Sequence, residues 1–202
     1  MKRGSRTSST KLDIQVTITS RFWTRKLRTA TACAKRAATA AVKNAISDVT
    51  LPSSSRDTIE IGILLATDHA LRQLNRDYRG IDKPTNVLSF PAFSPDDVQI
   101  SDAPILLGDV AVAYGVSNKE ARASGISMAA HLSHLVAHGA LHLLGYDHQS
   151  DHDALKMEEL EIKILADLGI TNPYIEAPRE VAPAQKRRAQ FRKNITPTRA
   201  KK

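Results

Sequence analysis

The sequence predicts a single α+β domain, close to α/β in its element order, with a four-stranded mixed sheet and a central helix packed among other helices. Three observations lead there. Segments with strand patterning alternate with segments of helical period as far as residue 113, and helices alone follow. The chain of 202 residues is one domain plus tails, long enough to bury a working core. Its apolar fraction of 42% and charged fraction of 25% exclude a wholly disordered, collagen-like or coiled-coil chain.

Element by element, residues 1 to 10 are rich in Ser, Thr, Lys and Arg, lack apolar periodicity and read as a disordered extension, so that residues 1–11 precede the domain. Leu12, Ile14, Val16 and Ile18 alternate with polar residues and predict a half-buried strand. From Thr24 to Ser47, Leu27, Ala30, Ala34, Ala37, Ala41 and Ala45 recur at helical spacing, and Pro52 with its serines ends this helix. The Arg- and Ser-rich, acid-poor opening also resembles an organelle transit peptide, but the strand pattern inside it assigns it to the fold.

Thr58 to Ala66 is β-rich, and Thr67 or Asp68 opens a short helix carrying Leu71 and Leu74. A loop with Tyr78-Arg79-Gly80 and Lys83-Pro84 leads to a strand, Asn86 to Phe90, stopped by Pro91. Ser94 to Pro104 is an acidic excursion before the strand Ile105 to Ala113. Three helices then run from Val116 to Ser124, Ser127 to Leu144 and Asp151 to Leu168, each followed by a glycine: Gly125, Gly145 and Gly169. The domain closes near residue 175, and residues 176–202 read as a basic disordered tail.

No run of about 18 apolar residues could span a bilayer, and the amino terminus lacks the apolar core of a secretory signal, so a cytoplasmic protein without a membrane partner is expected. Cys33 is the single cysteine, which excludes an internal disulfide framework and a multi-cysteine zinc site. The net charge of +8 is unevenly placed. Residues 1 to 36 carry +9, residues 171 to 202 carry +7, and the body between them carries −8. Clustered cationic ends suit a polyanion such as nucleic acid, with salt-sensitive affinity, or are simply solvated tails.

Five of the seven histidines fall between residues 131 and 148. His138 and His142 are four apart on a predicted helix, so their imidazoles project from one face on consecutive turns. Gly145 lets the chain reverse, and three residues later His148 can swing back toward the same point. Three neutral imidazoles predict one bound metal ion, with zinc the natural occupant and a fourth tetrahedral position free for water; iron, nickel or copper would also accept such ligands. The metzincin proteases share this spacing but place a glutamate base after the first ligand, where this chain has Gly139, so peptide hydrolysis by that route lacks its base. His131 and His134, on roughly the ligand face, are candidates for supporting the ligands, carrying protons or touching substrate, or are ordinary polar positions. Asp147 either orients an imidazole or caps a turn.

The segment His138-Gly-Ala-Leu-His142-Leu-Leu-Gly145-Tyr-Asp-His148 closely resembles the YbeY family of bacterial rRNA-maturation endoribonucleases. Tyr78-Arg79-Gly80, Asp82-Lys83-Pro84-Thr85, Asn86-Val87-Leu88-Ser89-Phe90-Pro91 and Leu107-Gly108-Asp109-Val110 resemble its other signatures, and the likeness spans about residues 12 to 175. It implies His138, His142 and His148 as ligands of one Zn2+ ion per chain, and Arg79 as the other residue important for RNA cleavage. A guanidinium there could clamp the scissile phosphate; from the residues alone an ion pair with one of the body's many acids is the favoured reading, and the resemblance reverses that preference. The family often has aspartate where Asn86 stands. The resemblance further implies cleavage of single-stranded RNA, 3′-end maturation of 16S rRNA, ribosome quality control, and rRNA and the small ribosomal subunit as partners, with no DNA. The rival readings are a metal-dependent hydrolase of another substrate and a ribosome assembly factor with a structural zinc.

Overall fold

The computed structural model describes residues 11–49, 58–92 and 103–174. In chain order these form β1 (Lys11–Ile18), α1 (Arg21–Lys26), α2 (Ala30–Ala45), β2 (Thr58–Ala66), α3 (Asp68–Arg79), β3 (Val87–Pro91), β4 (Ile105–Ala113), α4 (Tyr114–Ala123), α5 (Met128–Leu143) and α6 (Asp151–Asp167). The strands form one four-stranded sheet in the order β1-β2-β4-β3. β1, β2 and β4 are parallel and β3 is antiparallel to β4, which is the mixed sheet expected. The extension at residues 1–10, the tail after 174 and most of the acidic excursion lie outside the described residues.

β2 alternates buried Ile59, Ile61, Ile63 and Leu65 with half-buried Thr58, Glu60, Gly62 and Leu64, so that no position on either face is fully exposed. Ile59, Ile61, Ile63 and Leu65 join the larger core with residues of α2, α5 and α6, whereas Ala66 belongs to a second cluster with Leu71 of α3 and Leu88, Ala111 and Ala113. β1 lies at an edge, and its alternation turns Leu12, Ile14, Val16 and Ile18 toward the larger core. Leu107 bulges from β4, since Glu60 pairs with Leu106 and Ile61 with Gly108. Asp68, the first residue of α3, reaches across to α4, where its Oδ1 accepts from Gly115 N at 2.7 Å and Val116 N at 3.1 Å. That carboxylate satisfies amides that Ala113, at the N-cap position, cannot.

The helix expected from Thr24 to Ser47 is two helices. The break falls at Leu27, which is extended with φ −140° and ψ 86° and closes α1 by donating its amide to Trp23 O. Trp23 explains the break: it is fully buried, donates Nε1 to Ala66 O at 3.1 Å at the end of β2, and meets Tyr114 edge-on at 5.2 Å. A straight continuation would hold the indole and the alanine stripe of α2 to one axis. The break lets each find its own partner.

α5 is the centre of the molecule, buried at all positions from His131 to Leu143. Its neighbour α2 presents Ala30, Ala34, Ala37, Ala38, Ala41 and Ala45, all essentially inaccessible to solvent. Small side chains along that face allow the two helices to pack closely. Enlarging one should therefore strain the core: Ala41→Leu is expected to cost about 1–3 kcal/mol, read as a lowered urea midpoint at unchanged slope.

Candidate metal centre

Ser127 caps α5 by accepting from Ala130 N, and the helix then carries His131, His134, His138 and His142 down its buried length. Past Leu144, Gly145 takes φ +89°, a backbone conformation that a side chain resists, and the chain turns back. Asp147 Oδ1 accepts from its neighbour His148 N at 2.6 Å, fixing the peptide that delivers the third histidine rather than touching an imidazole. His138, His142 and His148 thereby bring one ring nitrogen each within 4.8 Å of one another.

The hydrogen bonds around these rings determine what they can hold. His138 Nδ1 lies 2.7 Å from Glu161 Oε1, and His142 Nδ1 lies 2.8 Å from Tyr146 O. An ionised carboxylate and a carbonyl only accept, so both Nδ1 atoms carry a proton, and in the neutral rings both Nε2 atoms present lone pairs. Those two Nε2 atoms are 3.0 Å apart, so in the neutral rings neither can donate to the other. The buried Nε2 of His148 has no hydrogen-bond partner among the described residues either. A shared cation satisfies all three, and the residues fit a metal on that ground.

Electrostatics favour the unprotonated state of His142 and His148. Burial lowers His142 well below its ordinary value, and the neighbouring His138 and His148 add to the shift. Burial and His138 also lower His148. Burial alone would raise the carboxyl of Glu161, but His138 and the hydrogen bonds from His134 and His138 outweigh it and hold the group well below the usual carboxylate range. Glu161 therefore stays charged inside the core, and its one negative charge would offset one of the two positive charges of a divalent ion held by three neutral imidazoles.

Glu161 was not singled out by sequence reasoning, which found no glutamate beside the metal motif. Its signal was present: Ala154, Met157, Glu161, Ile164 and Leu165 form the buried stripe of α6, and one of them is charged. The carboxylate also takes His134 Nε2 at 2.8 Å and the hydroxyl of Tyr174, so His134 acts on His138 through Glu161. His131 turns elsewhere, with Nε2 3.0 Å from Glu120 Oε2. Asn86 Nδ2 donates to that same oxygen at 2.9 Å, and an aspartate at 86 would there set its carboxylate against that of Glu120. Arg79 ends α3 and donates Nη1 to Asn75 Oδ1 at 3.5 Å; among the described residues no carboxylate pairs with it. Partial burial lowers its guanidinium from the ordinary value, and the group remains charged.

Gly139 has a positive reason to be glycine. A Cβ there would stand 2.6 Å from Val110 Cγ1 and 3.1 Å from Ser89 Oγ, and Ser89 Oγ donates to Gly139 O at 3.2 Å. The helix touches the sheet at this residue. No glutamate fits the position.

Fold and site together define a class: an α+β domain whose central helix and following turn converge three imidazoles suited to a metal ion. The chain matches the YbeY family, described as Endoribonuclease YbeY, over residues 24–169, and it belongs to that family. It is 49% identical over 120 residues to Endoribonuclease YbeY of Rhodopseudomonas palustris (strain BisA53), covering 59% of this chain and 70% of that one. It is 45% identical over 147 residues to the protein of that name from Sphingopyxis alaskensis, 71% of this chain and 88% of the relative. With the one from Paramagnetospirillum magneticum the identity is 45% over 167 residues, 82% and 97% of the two chains. A solution structure from Thermotoga maritima aligns with 84% of this chain and 99% of its own at 20% identity and a TM-score of 0.44, too loosely to carry an argument.

Two predictions follow from the hydrogen-bond network. His142 and His148 are harder to protonate folded than unfolded, so the stability they permit is present above their ordinary value near 6.5 and is lost as pH falls below it. The urea midpoint of metal-free protein should therefore drop from about pH 7 to about pH 5, and His142→Gln should flatten that slope. Glu161→Gln removes the charged acceptor behind His138 and should weaken metal affinity by about ten- to a hundredfold in a competition titration.

Proposed function

We propose that this chain is a zinc-dependent endoribonuclease that cleaves single-stranded RNA, working in the cytoplasm on the 3′ end of small-subunit rRNA and in ribosome quality control, with one ion per chain. The observation that carries the reading is the pair of facing Nε2 lone pairs on His138 and His142, with the unpartnered Nε2 of His148 beside them. Membership of the YbeY family supports the RNA substrate, and the relatives named above are called endoribonucleases. The cationic ends suit a polyanionic partner, rRNA on the small ribosomal subunit.

His138, His142 and His148 would hold the ion. Bound there, zinc supplies Lewis acidity and brings the pKa of water toward about 7. The chain's own residues do the rest. Glu161 and the Tyr146 carbonyl lock the tautomers and orientations of two ligands, and the turn at Gly145 sets the third. Arg79, free of any carboxylate among the described residues, binds the scissile phosphate and offsets charge gathering on its oxygens. His134 steadies Glu161, and neither His131 nor Asp147 takes a direct part in the reaction under this reading.

Elemental analysis beside a single-stranded RNA cleavage assay tests the reading. His142→Ala should lose metal and cleavage together. Arg79→Ala should keep its metal while cleavage falls about a hundred- to a thousandfold, the loss typical of one transition-state charge contact. Products ending in 2′,3′-cyclic phosphate would assign the adjacent 2′-hydroxyl as nucleophile, and a 3′-hydroxyl beside a 5′-phosphate would assign water. RNA cleavage undiminished in metal-free protein would overturn the proposal.

A further inference from the structure

α1 sets an aromatic ring among cations on the surface. Phe22 is 48% exposed, whereas the next residue, Trp23, is fully buried. The Phe22 ring lies against Tyr114, with centroids 5.6 Å apart and 20° between the planes, and Trp23 meets the same tyrosine edge-on. With one face of Phe22 on Tyr114, the exposed remainder of the ring includes its other face. The core behind it therefore fixes the ring in one orientation and leaves a π-surface open to a partner.

Arg25 and Lys26 follow Phe22 at i+3 and i+4, so they stand beside the ring on the same helix face. Arg21 and Arg28 flank them, and all four cations are exposed. Among the described residues none of the four has a carboxylate partner, and from Ile14 to Ser47 the chain contains no acidic residue. Arg21 stands at the amino end of α1, where the helix dipole disfavours a cation, so its charge does not serve the helix. An open ring among unneutralised cations is the surface that single-stranded nucleic acid requires, with bases stacking on the aromatic and phosphates meeting the cations. A lipid surface fits less well, because the other apolar residue of α1, Trp23, points into the core and leaves no apolar face to insert.

The surface stands at the carboxyl end of the parallel strands. Thr19 N donates to Leu65 O at 3.0 Å just before α1, Trp23 reaches Ala66 O, and Tyr114 directly follows β4. α5 starts at the same end, where His131 is joined through Glu120 to Asn86, and it passes Val110 of β4 at Gly139. His138 and His142 therefore lie toward the opposite end, and a strand held at both would be gripped at two separate points.

We infer that α1 is a strand-binding platform: Phe22 stacks one base of single-stranded RNA, and Arg21, Arg25, Lys26 and Arg28 take the phosphates around it. The inference rests on the RNA reading above for the identity of the polyanion.

Fluorescence anisotropy of a labelled 2′-O-methyl uridine dodecamer with the full-length, zinc-loaded chain tests it without cleavage. Phe22→Ala should weaken binding about five- to a hundredfold, the range for losing one stacked base, with circular dichroism confirming the fold. Phe22→Tyr should restore the affinity and Phe22→Leu, which keeps apolar bulk but no π-face, should not; a ring needed only for packing would give nearly the reverse. Affinity for a duplex of the same length, whose bases are already stacked, should not change in Phe22→Ala. The double variant Arg25→Gln with Lys26→Gln should lower the slope of log affinity against log salt by about 1.4, from about 0.7 per phosphate contact. Undiminished affinity in Phe22→Ala overturns the inference, as does an equal loss for duplex, full rescue by Phe22→Leu, or Phe22-dependent binding to phosphatidylserine vesicles in place of RNA. A wild type that cleaves RNA while Phe22→Ala binds it normally sinks this inference alone; Phe22-dependent binding without any cleavage sinks the nuclease reading alone.

Discussion

Two imidazole nitrogens that face each other at 3.0 Å, both lone pairs when the rings are neutral, set the terms for the rest of this molecule. The arrangement is repulsive in isolation. It is imposed from behind, by Glu161 on one ring and the Tyr146 carbonyl on the other, and both partners need a core able to hold them. Glu161 is a buried charge on an otherwise apolar helix stripe, tolerable because His134, His138 and the Tyr174 hydroxyl all point at it. The cost of burying that carboxylate is thus tied to keeping both histidines oriented.

The position of α5 follows from the same demand. A polar network of this density must be shielded from water to hold its geometry, and a helix buried on every side provides the shielding. Burying a helix fully requires neighbours that come close. On one side these are the alanines of α2; on the other the sheet, reached at Gly139. The asymmetry of size between α2 and α5 therefore serves the site as well as the core.

Much of this was legible in the sequence because it is local. Strand alternation at Leu12 to Ile18, the alanine period, the glycines that close helices and the four-residue histidine spacing all act within one element, and their elements appear where the pattern puts them. What escaped was non-local. The break at Leu27 depends on Trp23 finding Ala66 O, forty-three residues on, and Glu161 becomes part of the site only when α6 packs on α5. Asp147 shows the same limit at short range: its sequence position left orienting an imidazole and capping a turn both open, and its carboxylate bonds the backbone amide of His148. A charged residue in the apolar stripe of α6 was a legible anomaly, but its partner was not.

Gly139 separates this site from the metalloproteases that share its histidine spacing more firmly than the missing carboxylate does. Absence of a base from one position could be repaired by a substitution if there were room. Here Val110 and Ser89 occupy the volume a side chain would need, and Ser89 bonds the Gly139 carbonyl, so the helix cannot lift away without losing that contact. Close helix–sheet packing and a glutamate base at this position are mutually exclusive. A centre built this way must rely on charges placed around the reacting group rather than on a proton acceptor next to the first ligand, which suits a phosphodiester, whose transition state gathers negative charge on several oxygens, better than a peptide. A cation without a carboxylate partner among the described residues, such as Arg79, is then the kind of group the chemistry calls for.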